Sequence, residues 1–138
     1  MLNACQAGVT PFPTITTMNN EITLAPGQTA AISGTNLTIT FHSVVGDERC
    51  PSGIECAASG PVTLSLAVQQ GDEAPTDFTL QTFTDQSGLS PNVQFEGITN
   101  RAEVGGYLIQ LVSVTPYPTG LEEIDTDDYR VGLRVSGK

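Results

Sequence analysis

The chain has 138 residues, enough for one domain with a single core, and its 38% apolar content and near-zero mean hydropathy suit a globular fold. Fifteen acidic residues against five basic ones give a formal charge of −10, with Lys138 the only lysine; such a surface repels phosphate backbones and anionic lipid head groups, which disfavours nucleic-acid binding and electrostatic membrane docking. No run of about 18 apolar residues offers a transmembrane helix, and 14 Gly with 9 Pro point to many short elements joined by turns.

The chain opens on Leu2-Asn3-Ala4-Cys5, which resembles the lipobox of bacterial lipoproteins. In that pattern a signal peptide is cut before a cysteine that then carries lipid. The resemblance implies that Cys5 is a lipidation site and that Met1 is an added start codon. Stable anchoring by two or more acyl chains would follow. Gln6 to Asn20 is rich in Gly, Pro, Thr and Asn, has little to bury, and reads as a tether. The expected organisation is therefore a tether over residues 1–20 and a β-domain over residues 21–138.

The strand pattern begins at Ile22 and Leu24 and closes at Pro26-Gly27. Thr29 to Ser33 is a weaker strand, predicted at a sheet edge. From Leu37 the alternation is plain: Leu37, Ile39 and Phe41 share one face, Thr38, Thr40 and His42 the other, running to Val45. Val62, Leu64, Leu66 and Val68 repeat it against Thr63, Ser65, Ala67 and Gln69. Both are strands with one wet face.

Phe78 and Leu80 share a face while Phe83 has the opposite parity, so a bulge or strand end is expected there. Val93 and Phe95 predict another short strand. Tyr107 to Val114 is apolar at nearly every position, as in a central strand or one covered on both faces. A Pro/Gly loop, Thr115 to Ile124, runs into Asp125-Thr126-Asp127-Asp128, and Tyr129, Val131, Leu133 and Val135 alternate to the end. About eight short strands with frequent turns give the fold class: all-β, a single Greek-key β-sandwich, immunoglobulin-like.

Between the two clearest strands lies Asp47-Glu48-Arg49-Cys50-Pro51-Ser52-Gly53-Ile54-Glu55-Cys56. A Cys50–Cys56 disulfide would close a seven-residue ring and make this connection a rigid knuckle, worth about 2 kcal/mol in the chain-entropy model. Zinc would need about four ligands, and only His42 is left to join the pair. Five intervening residues also differ from the two of redox motifs. One lone cysteine plus one close pair fits export to an oxidising compartment.

The segment Asp47-x-Arg49-Cys50-Pro51, four residues, Cys56, then Gly60, resembles a family of uncharacterised bacterial lipoproteins and secreted β-domains. Gly105-Gly106-Tyr107 before an apolar strand, Thr115-Pro116-Tyr117-Pro118 and Asp128-Tyr129-Arg130 extend the resemblance over Leu24 to Val135. Members often carry Trp two residues after the second cysteine, where this chain has Ala58, and the chain has no Trp. The resemblance implies a fold and an extracytoplasmic location, not an activity. Asp47, Arg49 and Tyr117 are the candidate contacts for a ligand or partner, with a local salt bridge as the alternative role for the first two.

Glu122, Glu123, Asp125, Asp127 and Asp128 place five carboxylates within seven residues, ligands of the type calcium takes. The loop is no EF-hand, because Arg130 stands where the invariant Gly would be and a strand follows. A weak calcium site through Glu122, Asp125, Asp127 and Asp128 and a solvated acidic loop are the two readings. His42, the only histidine, sits on a wet strand face with Ser43 on the opposite one, so no nucleophile–base pair forms there. The expectation is a monomeric, non-catalytic module without cofactor, lipid-anchored outside the cytoplasm, that binds an envelope or secreted protein or a small ligand. An inhibitor of secreted proteases, presenting the Cys50–Cys56 and Thr115–Gly120 loops, is the alternative.

Overall fold

The computed structural model describes residues 14–91 and 93–137. They form nine strands: β1 Thr14–Thr17, β2 Glu21–Leu24, β3 Thr29–Ser33, β4 Leu37–Asp47, β5 Val62–Gln70, β6 Thr76–Thr82, β7 Arg101–Val104, β8 Tyr107–Thr115 and β9 Arg130–Gly137. They make two sheets, one ordered β2-β9-β8-β7 and the other β1-β3-β4-β5-β6. The inward residues of both sheets form one core, with Leu24, Ile39, Phe41, Leu64, Leu66, Ile109, Val131 and Leu133 at 0% exposure. Two layers sharing one apolar interior make a β-sandwich.

The alternation read in β4 and β5 is the one that packs. Leu37, Ile39 and Phe41 are buried, as are Val62, Leu64, Leu66 and Val68, while their threonine and serine neighbours stay half-exposed. Two register shifts in the β4–β5 pair, between Phe41 and Ser43 and between Val44 and Gly46, break the period near the end of β4. Bulges of this kind re-aim the strand. Here they carry β4 to Asp47, two residues beyond the expected end, and deliver that carboxylate at the strand terminus.

Three expectations need correction. The tether does not extend to Asn20, because Thr14–Thr17 pairs in parallel with β3 as the outermost strand of the five-stranded sheet. That strand buries little, and Ile15 is exposed, so it is held by its backbone ladder rather than by an apolar face. In consequence β3 is not an edge strand; it lies between β1 and β4. Val93 and Phe95 form no strand. Phe95 instead packs edge-to-face on Phe83, ring centroids 5.2 Å apart, in a loop outside the sheets. The strand lies further on, at Arg101–Val104, where only Ala102 is buried and alternation is too faint to read.

Two other expectations hold. The second sheet-forming run, Tyr107–Thr115, is interior, between β7 and β9. Past the end of β7 its backbone is taken up by the 88–90 loop: Val114 N–H donates to Gly88 O at 2.8 Å and Ser90 N–H to Val112 O at 2.8 Å. β6 ends at Thr82, where the parity of Phe83 placed a break.

Candidate functional site

The bulged end of β4 sets up a densely connected polar cluster. Asp47 Oδ1 accepts from Arg49 Nε at 2.9 Å and from the Arg49 backbone N–H at 3.3 Å. Its Oδ2 accepts from Arg49 Nη2 at 2.8 Å and from the Tyr129 hydroxyl at 2.9 Å. Arg49 Nη1 donates to Val114 O at 2.8 Å and Thr84 Oγ1 at 3.2 Å, and Nη2 also donates to Pro116 O at 3.1 Å. A guanidinium has five side-chain N–H donors, and here each has an acceptor. Arg49 is only 3% exposed.

This settles what Arg49 can do. With every donor engaged inside the fold, it has none to offer an incoming anion, so the cluster is a structural knot. It ties β4 to the end of β8 and to the start of β9. The guanidinium also lies 5.1 Å from the Tyr117 ring centroid, and the Tyr117 hydroxyl donates to Cys50 O at 2.5 Å. Asp47, Arg49 and Tyr117, picked out in the sequence, are thus brought together, but facing one another.

The electrostatics follow from the same contacts. Burial pushes the Asp47 carboxyl up, but the Arg49 side-chain hydrogen bonds and charge, the Tyr129 hydroxyl and the Arg49 amide outweigh it and hold the group below its ordinary value. Tyr129 is driven the other way, up to about 12, by burial, by its hydrogen bond to Asp47 and by that carboxylate's negative charge. Tyr129 and the acceptors on Thr84, Val114 and Pro116 were absent from the candidate set. The inward parity of Tyr129 with Val131 and Leu133 was legible, but its partner was not.

From the knot the chain enters the knuckle. The Cys50–Cys56 disulfide closes it. Cys50 N–H donates to Ser59 Oγ at 2.9 Å and Gly60 N–H to Glu48 O at 2.9 Å, which folds the base of the loop on itself. Gly60 belongs here because a Cβ would stand 2.8 Å from Glu48 Cβ, closer than real carbon pairs approach. The knuckle is laid against the 115–120 loop, whose Thr115–Pro116 peptide is cis. Ser52 N–H donates to Pro118 O and Gly120 N–H to Ser52 O, both at 3.0 Å.

Between knuckle and loop opens a cleft of about 400 Å³, walled by Asp47, Pro51, Pro118, Tyr129 and the 120–124 segment. Leu121 stands beside it, 89% exposed. The carboxylates of the acidic loop do not converge. Thr126–Asp128 is a single 3₁₀ turn, and three residues per turn splay successive side chains around the axis. Among the described residues no three His, Cys, Asp or Glu come together as a metal ion would need. Glu122, Asp125, Asp127 and Asp128, read as a weak calcium site or a solvated loop, are all exposed and do not form such a group.

His42 Nε2 lies 3.5 Å from Asp77 Oδ1, with both side chains exposed, a surface pair of little energetic weight. Cys5 lies outside the described residues. No known protein family, curated protein or solved structure matches the chain.

Proposed function

We propose that this protein is a lipid-anchored, extracytoplasmic β-sandwich of the bacterial cell envelope, working as a non-catalytic binding or structural module. The Cys50–Cys56 disulfide is the observation that carries the reading. Such a bond persists in oxidising compartments and is rare in the cytosol. The lipobox-like Leu2-Asn3-Ala4-Cys5 adds the anchor, and the charge of −10 favours protein or small-ligand partners over nucleic acid. The working end is the knuckle with the 115–124 segment, held rigid by the Arg49 knot.

The test is to express the full gene product in a bacterial host, fractionate the cells and weigh the intact protein. Diacylated or triacylated Cys5 in the membrane fraction is the expected result, with Cys5→Ser released to the soluble fraction. An unmodified Cys5 with reduced Cys50 and Cys56 in the cytosol would overturn it.

A second reading, an inhibitor of secreted proteases, is favoured by one observation. The two loops expected to face a protease are braced against each other through Ser52, Pro118 and Gly120. A loop fixed before binding loses little entropy on docking.

A further inference from the structure

We infer that Leu121-Glu122-Glu123 is a substrate-like segment, presented to a secreted endopeptidase whose primary specificity pocket is apolar. This rests on the inhibitor reading and names its residue and its partner class.

A single exposed leucine is ordinary on a protein surface. Leu121 differs through its setting. The chain is fastened immediately before it, where Gly120 N–H donates to Ser52 O at 3.0 Å and Ser52 N–H to Pro118 O at 3.0 Å. Ser52 itself lies inside the disulfide ring. Further back, Arg49 holds Pro116 O at 3.1 Å and Tyr117 holds Cys50 O at 2.5 Å. The chain is fastened again just after the segment. Ile124 packs on the core, and Tyr129 bonds to Asp47 at 2.9 Å. Three exposed residues therefore span two anchors, and both anchors lead to the same Asp47–Arg49 knot.

That arrangement decides what a protease could do with it. Hydrolysis of the Leu121–Glu122 bond consumes one water and leaves a carboxyl on Leu121 and an amine on Glu122. From a free peptide the two products diffuse apart, and that freedom drives the reaction. Here each new end stays fastened, so their effective concentration remains high and the cut chain still fills the cleft of the enzyme. A segment so held occupies the enzyme instead of being consumed.

The flanking charge narrows the partner. Glu122 and Glu123 follow Leu121 directly, and Asp125, Asp127 and Asp128 lie just beyond. An enzyme that accepts this segment must carry neutral or basic residues on the side that receives the leaving amine, since like charge facing like charge disfavours docking. The knuckle loop offers no comparable feature, because its one large apolar residue, Ile54, is half-buried.

The test uses the full chain against chymotrypsin-type, subtilisin-type and trypsin-type endopeptidases. Inhibition of one of the first two at sub-micromolar concentration is expected. Leu121→Asp should weaken it by at least about thirtyfold, the effect of losing a hot-spot side chain. Leu121→Arg should transfer inhibition to the trypsin-type enzyme. Thermal unfolding of both variants should match the parent, because Leu121 contributes nothing to the core. After long incubation, chain cut at Leu121–Glu122 should still inhibit. No inhibition of either apolar-pocket enzyme, inhibition unchanged by Leu121→Asp, or fast cleavage with full recovery of the enzyme would each overturn the inference. None of these outcomes alters the fractionation and mass of Cys5, so the envelope reading stands or falls separately.

Discussion

Replacing Arg49 by methionine is the sharpest perturbation of this fold. Methionine keeps much of the apolar stem but removes all five donors. The Asp47 carboxylate loses the two hydrogen bonds from the Arg49 side chain and the accompanying charge, and keeps Tyr129 and the residue-49 amide. Val114 O and Pro116 O lose the donor that reaches them. Removing one partner of a buried ion pair costs about 3–5 kcal/mol, because the other charge is left uncompensated. The total stability of a domain is about 5–15 kcal/mol, so the variant should lose a large share of it and melt about 10–20 °C lower.

Urea unfolding followed by circular dichroism measures this directly. The pH profile adds an independent check. Asp47 titrates below its ordinary value in the folded state, so the stability it contributes is present above that ordinary value of 3.8 and fades as pH falls through the lower folded value. Arg49→Met should flatten this acid limb. Adding Asp47→Asn to Arg49→Met should cost much less than Asp47→Asn alone, since no unpaired carboxylate remains. A loss under about 1 kcal/mol for Arg49→Met at neutral pH would refute the reasoning, because it would mean that water replaces the guanidinium at little cost.

Tyr129→Phe removes a hydroxyl that bonds a carboxylate and should cost about 1.5–3 kcal/mol by urea unfolding. In the parent, Tyr129 titrates near 12 rather than 10, so its contribution is complete below about pH 10 and is lost between about 10 and 12; the variant should lose less stability across that window, and equal losses would count against the Asp47 contact. Replacing Cys50 and Cys56 together by serine should lower stability by about 2 kcal/mol, the chain-entropy value for a short ring, with an unchanged melting curve the contrary result. Millimolar calcium against a chelator should leave the melting temperature where it is, whereas a shift of several degrees, about 2.7 kcal/mol at 100 times the dissociation constant, would return the acidic loop to the list of metal sites.

The candidate site was half legible. The spacing of Asp47, Arg49, Cys50 and Cys56 marks a local unit, and contacts within a few residues follow from chain geometry alone. The side-chain acceptor on Thr84 and the carbonyls of Val114 and Pro116 lie 35, 65 and 67 residues from Arg49. A backbone carbonyl belongs to every residue, so no residue type announces that it will cap a guanidinium. The acidic loop is the reverse case. Closeness in sequence suggests a shared ion, yet among the described residues no three carboxylates come together as one would need.

What this sequence determines by itself is the list of faces. Leu37-Ile39-Phe41 and Val62-Leu64-Leu66-Val68 must turn one way because burying a period-two apolar row is the main driving force available to a strand. The cysteine pair likewise sets the knuckle. Only the tertiary structure decides which strand lies beside which. β1 is the clearest case: Thr14–Thr17 carries no apolar row to bury, and its place is fixed by the open backbone groups of β3, which it completes in parallel. Hydrogen-bonding capacity of that kind is the same at almost every residue, so it becomes informative only once the neighbouring strand is in position.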